Sequence, residues 1–188
     1  MHTTALIIID MQIGMQSDTL PPRNNPGAEG NIMLLLKAWR DAGLPVVHVR
    51  HMARAPASVF FPGQAGAAFQ PPFMPLPDEH IVEKNIPDAF IASGLERWLH
   101  VRGISDLVIV GVSTNHSVES TARTAGNLGF ATAVVADATF AFAQSDYAGT
   151  PRSADDVHAM SLANLQREYA DVRSTADVLS DLPKNSYP

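Results

Sequence analysis

Aliphatic residues along this chain gather in short unbroken runs: Leu6–Ile9, Pro45–Val49, Ile81–Val82, Leu107–Val112 and Ala131–Ala136, each bounded by Gly, Pro or Asp. Runs of this length without polar alternation predict strands buried on both faces. Between them the apolar spacing becomes helical. Ala28, Ile32, Leu35, Leu36 and Trp39 fall on one stripe that stops at Gly43. Ser93-Gly-Leu-Glu96 has the form of a capping box ahead of Leu95, Trp98 and Leu99, with Gly103 as terminator. A third helix is predicted from near His116 to Gly129, and a fourth from near Ser153, with Val157, Met160, Leu165 and Tyr169 at about helical spacing. The stretch from Asp171 to Leu182 predicts a short strand and a last turn of helix. Strand and helix in alternation imply an α/β fold with a parallel sheet.

One segment breaks the rhythm. Residues 53–77 carry six prolines, Pro56, Pro62, Pro71, Pro72, Pro75 and Pro77, with Gly63 and Gly66. Neither period survives there. Phe60, Phe61, Phe69 and Phe73 are interleaved with them, which favours a packed active-site lid over a flexible linker.

Composition narrows the classes. A chain of 188 residues that is 46% hydrophobic can bury one sizeable core, so residues 1–188 are expected to form one domain. The net charge of −6 comes from scattered acids, which argues against a nucleic-acid partner. No apolar run reaches membrane-spanning length and the first ten residues lack a basic leader, so a soluble cytoplasmic protein without membrane contact is expected. There are no cysteines, which removes disulfides, thiolate metal sites and thiol nucleophiles together.

In a parallel α/β sheet, sites form beyond the carboxyl ends of the strands. Asp10 closes the first aliphatic run, Lys84 follows the third, and Ser117 lies just past the fourth, where a turn enters a helix. Singly, these are a turn cap, a surface charge and an N-cap. Placed together at strand ends expected to lie side by side, they suggest a catalytic site. A helix N-terminus would stabilise negative charge on an attacking atom and on an oxyanion, and Asp10 beside Lys84 would be a carboxylate able to take a proton.

The wording is also familiar. Ala5-Leu-Ile-Ile-Ile-Asp-Met-Gln12, Val47-His-Val-Arg-His51, Glu83-Lys84, Gly111-Val-Ser-Thr-Asn-His-Ser-Val-Glu-Ser-Thr-Ala-Arg123 and Gly129–Asp137 resemble, in order, the isochorismatase-like or cysteine hydrolase family. The resemblance implies a three-layer Rossmann-like fold around a six-stranded parallel sheet, and a catalytic Asp-Lys-Cys trio matching Asp10, Lys84 and Ser117. It implies a cis peptide before Ser113, backbone N–H groups at Ser113 and Ser117 as an oxyanion hole, and a homodimer or homotetramer. It implies no cofactor for this type of chemistry.

Ser117 departs from the family's cysteine. An alkyl alcohol is a far weaker acid than a thiol and needs a well-placed base to attack at neutral pH. The serine is either a deliberate replacement of cysteine or natural. If natural, it fits enzymes of the isochorismatase type, in which Asp protonates a vinyl ether and water attacks, although those tend to have a glycine-like residue at this position. A Ser-Ser-Lys site from Ser117, Ser113 and Lys84 is least favoured. The leading expectation is a hydrolase of a small amide, carbamoyl or ureido bond. Behind it stand vinyl ether hydrolysis and a catalytically silent binding homologue.

Gln12, His51, Phe60, Phe61, Phe90, Asn115 and His116 are the candidate substrate contacts, the aromatic ones equally readable as plain packing. No metal is expected: His48 and His51 are separated by Arg50, and no Asp-x-His follows the second strand. His158 reads as a satisfied core or interface group.

Overall fold

The protein is described by a computed structural model that covers residues 3–182. Its main sheet comprises β1 (Thr3–Ile9), β2 (Val46–His51), β3 (His80–Lys84), β4 (Ile104–Val112), β5 (Ala131–Phe140) and a short last strand, Asp171–Arg173. The helices are α1 (Ala28–Asp41), α2 (Leu95–Val101), α3 (Glu119–Asn127), α4 (Ala154–Leu165) and α5 (Thr175–Asp181). A small antiparallel ribbon, β6 (Gln144–Ser145) with β7 (Pro151–Arg152), precedes α4, so the last strand of the main sheet is β8. All pairings in the main sheet are parallel, in the order β3-β2-β1-β4-β5-β8.

The continuous aliphatic runs are explained by two cores, one on each face. Ala5, Ile7 and Ile9 of β1 pack with α2, α3 and α4 residues such as Leu99, Ala122 and Leu165. Leu6 and Ile8 point the other way, to Ile32, Leu35 and Trp39 of α1 and Val178 of α5. β3 differs from its reading as doubly buried: it is the sheet edge, with Val82 buried and Ile81 45% exposed. The capping box predicted at Ser93 is not formed either. Gly94 takes the N-cap position at φ 77°, while Ser93 Oγ donates to the Ala89 carbonyl and accepts from Leu95 N–H. The predicted start of the fourth helix near Ser153 agrees, the Ser153 hydroxyl capping it by accepting from Asp156 N–H.

Strand order reverses between β1 and β4, the switch point at which α/β sheets open a crevice. The two strands converge closely there. A Cβ on Gly111, whose φ is 115°, would lie 2.1 Å from the Ile9 carbonyl oxygen, so only glycine lets β4 pass this end of β1.

Candidate active site

Asp10 ends β1 with a left-handed backbone at φ 53°, a conformation that short polar side chains tolerate better than most. Lys84 is the last residue of β3, and alternation from buried Val82 puts it on the sheet face that carries α2 and α3. Ser117 sits in a π-helical turn, Thr114–Val118, that joins β4 to α3. The Ser113 carbonyl accepts N–H groups from both His116 and Val118, the second being the wide i to i+5 bond that defines the turn. The Val112–Ser113 peptide is cis.

These elements bring three side chains together. Lys84 Nζ donates to Asp10 Oδ2 at 2.7 Å and to Ser117 Oγ at 3.1 Å, all three residues being buried. The expectation that the three strand ends lie side by side holds for β1 and β4 but not for β3, which β2 separates from β1. The strand between them contributes His51, register partner of Lys84.

Burial pushes the Asp10 carboxyl above the usual aspartate range, and this outweighs the opposing pull of the Lys84 ammonium, the Ser117 hydroxyl and His51. Asp10 Oδ1 is buried and has no hydrogen-bond partner among the described residues. Desolvation and the Lys84 charge lower the His51 pKa against the attraction of Asp10, favouring a neutral imidazole. His51 also stands edge-on to Phe60, with ring centroids 6.1 Å apart.

The remaining candidates divide. Gln12 is fully buried and its amide is engaged by backbone: Nε2 donates to the carbonyls of His51 and Ala67, both at 2.9 Å, and Oε1 accepts from His51 N–H at 2.7 Å. It therefore acts as a clamp between β2 and the Pro-rich segment instead of facing substrate. Gln70 strengthens the same join through Met11 and Gln12. The 53–77 segment is thus pinned to the residues that follow Asp10, and it includes two single turns of 3₁₀ helix, Ala65–Ala67 and Pro71–Phe73. Phe69 and Phe73 are buried, Phe60 and Phe61 half-buried. Phe90 packs in the core against Phe130, ring centroids 5.8 Å apart. Asn115 and exposed His116 line an open hollow of about 300 Å³ beside Ser117, shared with Pro87, Glu119, Ser120 and Arg123. The Ser113 hydroxyl donates to Asn115 Oδ1, so it is not directed at Lys84 as a Ser-Ser-Lys site requires.

Comparison with known proteins agrees with this fold. The Isochorismatase domain model matches residues 4–177. The chain belongs to the isochorismatase family. It is 37% identical over 180 residues to the uncharacterized isochorismatase family protein YrdC of Bacillus subtilis, covering 96% of each. The crystal structure of a hydrolase assigned to this family from Chromobacterium violaceum matches with a TM-score of 0.92 at 48% identity, over 95% of this chain and 92% of that one. Maleamate amidohydrolase of Pseudomonas putida is 29% identical over 197 residues, covering 95% of this chain and 86% of its own.

In this isochorismatase-family hydrolase the two histidines of β2 do not converge. His48 is wholly buried with Nε2 2.8 Å from Glu79 Oε2, whereas His51 faces Lys84 and Asp10. Among the described residues, no group of three or more His, Asp or Glu side chains is placed to hold a metal ion. No helix of the described residues is long and apolar enough to cross a membrane. Sequence reasoning missed the contacts of α4 with the Ser117 turn. Thr114 Oγ1 lies 2.8 Å from His158 Nδ1, and the Thr114 carbonyl accepts from Ser161 Oγ at 3.0 Å. The available signal was a histidine and a serine on the buried stripe of α4, where polar groups need partners.

Proposed function

We propose that this hydrolase cleaves a small amide, carbamoyl or ureido C–N bond without a cofactor, using Asp10, Lys84 and the side chain at position 117. The observation that carries this reading is the single ammonium of Lys84 bonded at once to a buried carboxylate and to the Ser117 hydroxyl. As the heteroatom of residue 117 bonds to the substrate carbonyl carbon, its proton passes to Asp10, whose free Oδ1 is the accepting atom. Burial raises the carboxylate's proton affinity and so suits it to this step. The oxyanion is held by the N–H groups of Ser113 and Ser117 at the head of the helical turn. The C–N bond then breaks, the Asp10 proton leaves with the nitrogen, and water releases the acyl group, as a carboxylic acid from an amide or a carbamic acid from a carbamoyl or ureido substrate, by the same route in reverse. Lys84 keeps the carboxylate and nucleophile in register throughout. The pinned 53–77 segment serves as the lid over this buried site. The relation to a maleamate amidohydrolase supports the substrate class.

A second reading is favoured by the raised pKa of Asp10. A carboxyl that retains its proton could protonate a vinyl ether, with water as nucleophile and residue 117 a bystander.

The test compares the chain as it stands with Ser117→Cys and Ser117→Ala on small amides and carbamoyl compounds, following ammonia, with isochorismate in parallel. Strong ammonia release gained with cysteine and absent with alanine is the expected result. Turnover of isochorismate alone, retained in Ser117→Ala, would replace this reading by water attack. No turnover by any form would leave a binding homologue.

A further inference from the structure

Helix α4 makes polar contacts with the turn carrying residue 117 that the burial of its apolar stripe does not require. His158 Nδ1 lies 2.8 Å from Thr114 Oγ1, both residues being buried. One turn further on, Ser161 Oγ lies 3.0 Å from the Thr114 carbonyl and 2.6 Å from Glu119 Oε2, its one hydrogen shared between the two acceptors. Thr114 opens the π-helical turn and Glu119 closes it, with Glu119 N–H bonding back to the Thr114 carbonyl. Both ends of the turn around Ser117 are therefore held from α4.

The far side of His158 is fixed as firmly. Asn25 Nδ2 donates to the carbonyls of Ala136 at 2.8 Å and Thr139 at 2.7 Å, and sits 3.4 Å from His158 Nε2. With both amide hydrogens of Asn25 directed at carbonyls, Nε2 has no donor to accept from. It carries the ring proton itself and shares the Ala136 carbonyl. Nδ1 is then the acceptor, and the Thr114 hydroxyl must donate to it. A chain of contacts thus runs from the Ala136 carbonyl of β5 through His158 and the Thr114 hydroxyl to the backbone that carries residue 117.

A π-turn is not the default geometry of a helix start, so this turn depends on contacts from outside to hold one arrangement. Displacing a reacting group by about 1 Å can cost on the order of a hundredfold in rate. We propose that His158 and Thr114 are a positioning pair that fixes the π-turn and thereby aims the nucleophile at position 117. The inference rests on the reading of residue 117 as nucleophile and adds to it a specific support.

The chain has no cysteine, so Ser117→Cys creates a single thiol whose reactivity can be followed without substrate. Its alkylation by iodoacetamide, measured against pH, is compared in that parent and in versions also carrying Thr114→Val, Thr114→Ser, His158→Gln or His158→Asn. Glutamine places its amide near the Nε2 position and loses the bond to Thr114, whereas asparagine places Oδ1 near Nδ1 and keeps it. Thr114→Val and His158→Gln are expected to slow alkylation about tenfold or more, with Thr114→Ser and His158→Asn recovering to within about threefold of the parent. The double Thr114→Val/His158→Gln version is expected to be no slower than the slower single one. Nearly isosteric Thr114→Val decides the matter if His158→Gln does not fold. An activated thiol in the parent that stays equally reactive in Thr114→Val, with only the melting temperature lowered, would overturn the positioning role and leave the nucleophile reading standing. A parent thiol no more reactive than free cysteine would overturn both.

Discussion

Lys84 and Asp10 form a buried ion pair, Nζ to Oδ2 at 2.7 Å, that reaches across the strand separating their own. Neither charge has water to fall back on. Removing one partner leaves the other buried and uncompensated, a change that generally costs several times more than an exposed pair is worth. Lys84→Met is therefore expected to lower stability by about 3 kcal/mol at pH 7. The loss should shrink at pH 4, where Asp10 can take up a proton, and in Asp10→Asn/Lys84→Met. Urea unfolding of the three proteins at both pH values checks this; an equal loss at both would mean the pair is not coupled.

Activity should carry the same coupling. Because burial raises the Asp10 pKa, the acid limb of kcat/KM is expected to lie above the ordinary aspartate range, activity rising as Asp10 loses its proton. The linked effect on stability has the opposite sign: the contribution of a raised carboxyl is present below pH 3.8 and is lost as pH rises through the folded pKa. Lys84→Arg keeps the charge and should leave the limb close to its original position even where kcat falls. A pH profile set by proton donation, falling instead of rising across this limb, would favour the vinyl ether reading.

Gln12→Ala removes three hydrogen bonds between β1's end, His51 and Ala67. Stability is expected to fall by about 2 kcal/mol, since buried backbone groups lose their partners. Hydrogen exchange should accelerate at residues 67–70 before it does so in β1. Uniform acceleration would show that the clamp serves the whole sheet and not the 53–77 segment.

Gly111→Ala drives a methyl against the Ile9 carbonyl, where the nearest approach would be 2.1 Å, at a φ that alanine avoids. The expected cost is about 3 kcal/mol or more, read by thermal unfolding. A cost below about 1 kcal/mol would mean that β1 and β4 can separate at the switch point.

Glu79 connects acid stability to the far end of the 53–77 segment. Burial alone would raise its pKa, but hydrogen bonds from Arg40, Leu76 N–H and His48 prevail and hold it at about 2. A depressed carboxylate contributes stability that is full above its ordinary value of 4.5 and is lost as pH falls toward 2. Glu79→Gln should flatten the stability profile across that window. A profile as steep as the parent's would place the acid sensitivity elsewhere.

The alternation of short aliphatic runs with 3.6-residue stripes was enough to expect a parallel sheet, because buried strands and amphipathic helices leave opposite local signatures. Asp10, Lys84 and Ser117 could be picked out for the same reason: each lies within a few residues past the end of such a run, at the edge where the sheet opens its crevice. The position of β3 at the edge was not legible, since two apolar residues look alike whether covered on one face or both. Nor was the failed capping box, where the left-handed turn at Gly94 moved the cap by one residue.

The sequence by itself determined the alternation of elements, the family and the three residues to inspect, because those depend on local periodicity and on neighbours along the chain. Only the tertiary structure decided that β2 separates Lys84 from Asp10, that Gln12 spends its amide on backbone, and that His158 holds the turn around residue 117. Each of these is a hydrogen bond or strand order between segments about thirty or more residues apart, and at such separations residue type alone does not say which partner a buried polar group will find.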